Sequence, residues 1–201
     1  MIYPSAKLEK ELFASGYQFI AGLDEVGRGS WAGPVVAAAI IYDPLLKKIK
    51  GIRDSKLVTA SARDRISRQL MENFDFGIGV VASEIIDASG IVPSIKLAME
   101  QAIAGLKNMP QYLLIDALRL ENLNQPQQGI ISGDRKVLTI AAASIIAKVT
   151  RDQIMDYYHG KFPEYGFSDH KGYGTAAHRA ALKQFGASGI HRLSYRPLNG
   201  S

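Results

Sequence analysis

The sequence predicts an α/β or α+β fold in which a mixed five-stranded sheet is flanked by helices. Two observations carry this. Short apolar runs rich in β-branched residues come first in close succession, and later ones alternate with segments of helical period. The connections also differ in length: the first three runs lie close enough for an antiparallel meander, whereas the fourth follows a helix, which allows a parallel crossover.

In order, residues 5–15 (SAKLEKELFAS) read as a short amphipathic helix, with Ser5 in the N-cap position and Gly16 just past its end. YQFIAGLD (17–24) reads as the first strand. GPVVAAAIIY (33–42) reads as the second, with Pro34 at its start, where a missing N–H is tolerated. TASARDRISRQLMENF (59–74) has the spacing of a helix, and FDFGIGVVAS (74–83) that of a third strand interrupted by Gly77 and Gly79. SIKLAMEQAIAGLKN (94–108) is helical, QYLLID (111–116) a fourth strand and QQGIIS (127–132) a weaker fifth. Residues 135–162 form a long helix, apolar enough at its start to lie in the core, and 175–186 a last one. No repeat or low-complexity linker divides the chain, so 1–201 reads as one domain.

Composition narrows the function classes. An apolar fraction of 47% over 201 residues is ordinary for a globular protein with a sizeable core. The absence of cysteine excludes disulfides and thiolate metal sites. The N-terminal residues lack the order of a signal peptide, and Val35–Tyr42 is too short to span a bilayer, so a soluble, cytoplasmic protein without membrane partners is expected. Charge is uneven. Residues 1–134 carry 14 Lys/Arg against 15 Asp/Glu, and 135–201 carry 10 against 4, together with all 4 histidines. That excess suits a polyanionic partner, and equally a solvated basic surface.

Two strands run from apolar residues into acids, at Asp24-Glu25 and at Asp116. Taken singly, a strand-end aspartate more often starts a turn than binds a metal. If the two strands are neighbours, however, their carboxylates gather at one rim and repel unless a divalent cation sits among them. Oxygen ligands without cysteine favour Mg²⁺ or Mn²⁺ over Zn²⁺. Asp134 precedes the long helix and reads first as its N-cap, a role compatible with ligation. Gly27, Gly29 and Gly33 make GxGxxxG before a strand-like segment, which matches neither the dinucleotide fingerprint nor a P-loop. The loop is either a turn between strands or a bare backbone beside a ligand, with Arg28 able to hold a phosphate.

GLDEVGRG with AGPVVAAA, then DSKL (54–57), LLID (113–116), AAASIIAKVTRD (141–152), HKGYGT (170–175) and HRLSY (191–195), together resemble ribonuclease HII, the type 2 ribonuclease H, in the family's order over residues 17–196. The resemblance implies an RNase H-like fold with a helical C-terminal part, at about 160–201, that binds substrate. It implies an endonuclease that hydrolyses RNA in RNA–DNA hybrids and cuts at ribonucleotides embedded in duplex DNA. The family's four acids fall on Asp24, Glu25, Asp116 and Asp134, its glycine-arginine-glycine motif on Gly27, Arg28 and Gly29, and its junction-sensing tyrosine on Tyr173. Departures from its pattern are Ser30-Trp31 where Pro-Leu is common, Tyr195 for Phe and Gly189 for Pro.

The expected mechanism is two-metal phosphodiester hydrolysis with Mg²⁺ or Mn²⁺, giving 3′-hydroxyl and 5′-phosphate ends. Asp24 anchors the ions, and Glu25, Asp116 and Asp134 complete the set. Lys148, Arg151, Lys171 and Arg192 are expected on phosphates, with burial near the core the other reading of Lys148; Lys56 is expected to bind substrate, and Tyr173 to pack on a sugar at an RNA-to-DNA junction. A monomer whose partner is nucleic acid is expected. The rival readings are another metal-dependent nuclease of this fold and a hybrid-binding module without catalysis.

Overall fold

The computed structural model describes residues 3–198. Five strands, β1 (Ile20–Val26), β2 (Val35–Ile41), β3 (Phe76–Val81), β4 (Tyr112–Asp116) and β5 (Gln127–Ile130), lie in the order β3-β2-β1-β4-β5. The first three form the antiparallel meander, and β4 and β5 add parallel on the other side of β1. The first strand runs further than the sequence suggests. Pairing of Asp24, Glu25 and Val26 with Ala38, Ala37 and Val36 carries it two residues beyond Asp24.

The helices are α1 (Lys7–Ala14), α2 (Ala60–Asn73), α3 (Ser83–Ser89), α4 (Ile91–Ala104), α5 (Leu138–Lys161), α6 (Phe167–His170) and α7 (Ala176–Phe185). Thr59 and Thr175 cap α2 and α7 through their hydroxyls. Helix α4 begins before Pro93, not after it, because a proline in the first turn removes an N–H that has no helical partner anyway. The short α3 was not anticipated. Gly90, at φ 84°, separates it from α4.

Alternate strand residues feed two apolar layers. Ile20, Val36, Ala38, Ile40 and Leu114 face α5 and its neighbours, and Ala21, Leu23, Val35, Ala37, Leu113 and Ile115 face α4. The glycines that interrupt β3 serve the second layer: a Cβ on Gly77 or Gly79 would lie 2.0 or 1.9 Å from the carbonyl oxygen of Ala102 or Ala98, so α4 rests on bare backbone there. On the other face, a Cβ on Gly22 would lie 2.4 Å from Thr139, which lets the start of α5 press on β1. A third cluster of Ala32, Met155, Tyr165, Phe167, Ala181 and Ile190 fastens the C-terminal helices to the far end of α5. Among the described residues no helix is long and apolar enough to cross a membrane.

Candidate metal centre and nucleic-acid cleft

The central parallel pair sets the acids. Leu23 is in register with Ile115, so Asp24 and Asp116 follow side by side where β1 and β4 leave their ladder. Asp24, Glu25 and Asp116 each offer an oxygen within 4.8 Å of the others. They floor a cleft of about 510 Å³. Asp24 Oδ1 accepts from the Glu25 N–H at 2.7 Å, and Asp116 Oδ1 from the Gly133 N–H at 2.7 Å. Ala117, directly after Asp116, is held at φ 52°, a left-handed conformation that is strained for alanine.

Crowding shows in the protonation chemistry. Burial, then the charges of Glu25 and Asp116, push the Asp24 carboxyl well above its ordinary value. Burial, then Asp116, push Glu25 up to about 7, against the opposing charges of Arg28 and Lys56. Glu25 Oε2 is buried without a hydrogen-bond partner. Three hard-oxygen donors with an orphaned carboxylate oxygen fit a divalent cation.

Asp134 lies on the same cleft, outside the tight trio. Burial, then Asp54 and Asp116, raise its carboxyl. It is not the N-cap of the long helix. It sits in a one-turn 3₁₀ segment, Gly133–Arg135, and α5 starts only at Leu138. Its expected capping role belongs instead to Glu9 of α1, whose Oε1 accepts from the Thr139 N–H at 2.9 Å and the Thr139 hydroxyl at 3.1 Å. Buried Asp54 places Lys56: Oδ1 accepts from the Lys56 N–H at 3.0 Å, and Oδ2 takes Arg135 Nε at 3.1 Å. Lys56 lines the cleft beside Ser55.

The glycine loop divides by purpose. Gly27 stands at φ 96°, and a Cβ there would lie 2.3 Å from Arg151 Nε. Gly33 stands at φ 82°, its Cβ position 2.3 Å from Met155 Sδ. Both are glycine for conformation and inward packing. Only Gly29, with nothing within 4 Å of its Cβ position, borders open space, beside Arg28 on the cleft wall.

Two expected phosphate contacts are corrected. Arg151 and Arg192 are fully buried. Arg151 donates to the carbonyls of Pro34, Lys171 and Ala32 at 2.9, 2.9 and 3.1 Å. Arg192 donates to Gly33 O from Nε and Nη2 at 3.0 and 2.9 Å, and from Nη1 to Arg28 O at 3.1 Å and the Tyr195 hydroxyl at 3.3 Å. They are forks that hold the glycine loop, and net charge alone could not separate them from surface cations. Lys148 does line the cleft, paired with Asp152 at 2.6 Å, and Lys171 pairs with Asp156.

Tyr173, 37% exposed as a residue, reaches the cleft from the C-terminal part, and the Arg151 guanidinium lies 5.5 Å from the ring centroid. Its flanking glycines answer to Ala32 and Trp31: a Cβ on Gly172 would lie 2.5 Å from Ala32 O, and one on Gly174 2.2 Å from the Trp31 ring. Trp31, one of the departures in sequence, thus packs beneath the tyrosine loop.

A family model described as Ribonuclease HII matches residues 21–197. A ribonuclease HII of Chloroflexus aurantiacus is 46% identical over 200 residues, covering 97% of this chain and 94% of that protein. Among solved structures, a PCNA:RNase HII complex from Archaeoglobus fulgidus superposes with a TM-score of 0.76 at 26% identity, over 89% of this chain and 95% of that one. An RNase HIII in complex with Mn²⁺ shares the fold, with a TM-score of 0.67 at 21% identity over 90% of this chain and 68% of that one. The sheet is therefore that of an RNase H fold, and the chain belongs to the ribonuclease HII family of endoribonucleases.

Proposed function

We propose that the chain hydrolyses the RNA strand of RNA–DNA hybrids and cuts at single ribonucleotides embedded in duplex DNA, leaving 3′-hydroxyl and 5′-phosphate ends. The observation that carries this reading is the convergence of Asp24, Glu25 and Asp116 within 4.8 Å at the floor of a cleft walled by Arg28, Lys56 and Tyr173. Asp24, Glu25 and Asp116 would hold Mg²⁺ or Mn²⁺, with Asp134 at the margin. Bound there, two such ions supply water activation and stabilisation of the leaving 3′ oxygen. The Mn²⁺ complex of the RNase HIII relative supports a divalent ion without selecting manganese over magnesium.

The rest falls to the protein's own groups. Gly29 and Arg28 bring bare backbone and a guanidinium to the scissile nucleotide, where the 2′-hydroxyl tells RNA from DNA. Lys56 and Lys148 draw the backbone phosphates towards the acids. Lys171 would exchange its Asp156 partner for a phosphate, at little cost because such pairs near the surface contribute about 0–1 kcal/mol. Tyr173 would pack on the deoxyribose that follows the ribonucleotide, in the substrate-binding C-terminal part.

The test is digestion of a DNA duplex carrying one ribonucleotide, with the cut mapped, with and without chelator. Cleavage on the 5′ side of the ribonucleotide–DNA junction is expected only with metal. Asp24→Asn should reduce cleavage to the chelated level while hybrid affinity, which comes mainly from phosphate contacts, is retained. Normal turnover of that variant in saturating Mg²⁺ and Mn²⁺ would remove Asp24 from the centre.

A further inference from the structure

We propose that His178 and His191 are positioning residues for Tyr173: an ordered pair of imidazoles fixes the Tyr173 carbonyl, and with it the pose the ring presents to the cleft. The inference rests on the reading of Tyr173 as the residue that packs on a nucleotide sugar.

The order of the pair follows from its partners. The Ser188 N–H donates to His191 Nδ1 at 2.9 Å, so in a neutral His191 the proton sits on Nε2. That Nε2 lies 2.9 Å from His178 Nε2, which must then accept. The His178 proton is thereby driven to Nδ1, which meets the Tyr173 carbonyl at 3.0 Å. Each ring nitrogen has one role. The opposite tautomer of either ring would set two lone pairs or two N–H groups against each other.

Burial keeps both rings neutral. His178 is fully buried and His191 nearly so. Burial pushes His191 down to about 4, and His178 down in the same direction. A third ring closes the clamp. His170 stacks on His178 at 4.5 Å, its Nε2 lies 2.7 Å from Tyr165 O, and its Nδ1 accepts from the Gly172 N–H at 3.2 Å. The segment so held is one that needs holding: Lys171 is at φ 50° and Gly172 at φ 81°. Its tip carries the partly exposed tyrosine ring.

A pair that merely filled the C-terminal core would, when altered, lower cleavage of every substrate alike. A positioning pair changes selectivity. The readout is therefore the ratio of kcat/KM on a duplex with one ribonucleotide to kcat/KM on a uniform RNA–DNA hybrid, with Mg²⁺ saturating. His178→Phe keeps a ring against His170 and Phe167 but loses the donor, and should lower the ratio about fivefold, the equivalent of one ordinary hydrogen bond. His178→Asn, whose amide nitrogen takes the place of Nδ1, should recover most of it. In a Tyr173→Ala background, His178→Phe should lower the ratio no further, because the two changes act on one element.

A ratio unchanged in His178→Phe while Tyr173→Ala lowers it would overturn the inference and spare the reading of Tyr173. Fully additive losses would overturn it equally. A ratio unchanged in Tyr173→Ala would overturn both. Should His178→Phe not fold, His191→Phe, which removes the proton that sets the His178 tautomer together with the acceptor of the Ser188 N–H but leaves the His178 donor in place, is scored by the same ratio and the same limits.

Discussion

Arg192→Lys separates a structural cation from a nucleic-acid contact. Arg192 places hydrogen bonds on two carbonyls, Gly33 O from two nitrogens and Arg28 O from a third, in a fully buried position. A lysine ammonium is a point donor that cannot span both carbonyls as the planar fork does. With the ammonium on Gly33 O, one of the two bonds there and the bond to Arg28 O are lost, charge-assisted bonds of about 1.5–3 kcal/mol each, while Arg28 O keeps the Tyr195 hydroxyl at 2.8 Å. Lysine's remaining contact offsets part of this, which leaves a net loss of about 2–4 kcal/mol. At roughly 2–4 °C per kcal/mol for a chain of this size, the melting temperature should fall by about 4–16 °C. The assays are urea unfolding followed by circular dichroism, and hybrid affinity across a salt series. The slope of log affinity against log salt should stay unchanged, since no phosphate contact is lost. A slope flattened by about one unit with an unchanged unfolding midpoint would refute the scaffold role and restore Arg192 to the nucleic-acid surface. Lys171→Gln is the reciprocal control, expected to flatten the slope by about one unit and barely move the midpoint.

Gly27→Ala should cost more than about 2 kcal/mol in urea unfolding, because it combines a left-handed backbone with a Cβ directed at Arg151 and Pro34 O. Gly29→Ala, in open space, should stay within about 0.5 kcal/mol of the parent, so any loss of cleavage in it reports a clash with substrate. For Glu25, burial and Asp116 raise the folded pKa from 4.5 to about 7. In chelator its contribution to stability is therefore fully present below about pH 4.5 and is lost as pH rises through about 7, by at most about 3 kcal/mol. Glu25→Gln should be free of that loss: its melting temperature in chelator should gain on the parent between pH 5 and 8, and Mn²⁺ at pH 8 should reverse the order. Parallel pH profiles of the two proteins in chelator would refute the crowded-carboxylate account.

Much of the fold was legible because strand periodicity and connection length act locally. The runs at 17–24 and 111–116 read as two strands that each end in acids, and their pairing in the structure, with Leu23 in register with Ile115, is what makes Asp24 and Asp116 meet. What was not legible depends on contacts far along the chain. A one-residue cap rule put Asp134 on the helix end, but the N–H of Thr139 is served by Glu9, 130 residues away in sequence. The rule that charge lies outside placed Arg151 and Arg192 on phosphates. Their burial is explained only by carbonyls of residues 28–34 and 171, brought together by the third apolar cluster. The glycines around Tyr173 answer to Ala32 and Trp31, which lie far away in the chain and leave no local pattern.

Those long-range contacts also explain how two separately built halves act on one nucleotide. The acids belong to the sheet, and Tyr173 to the C-terminal cluster. Nothing in either half alone fixes the distance between them. The segment from Arg28 to Pro34 belongs to both: Gly33 N–H donates to Ile190 O, Trp31 N–H to Gly172 O, and the two buried guanidiniums take four of its carbonyls. Among the described residues neither guanidinium forms a salt bridge, and Asp152 and Asp87 favour their charges only from a distance, so the carbonyls carry most of the cost of burying them. A hydrophobic pair would avoid that cost but would take the guanidinium donors from the carbonyls of Ala32, Gly33 and Pro34, Arg28 O keeping the Tyr195 hydroxyl. A misplacement of about 1 Å between reacting groups can cost about a hundredfold in rate. A rigid link of charged forks, costly as it is to bury, is consistent with a cut site set by the spacing between the acids at the sheet rim and a tyrosine on another element.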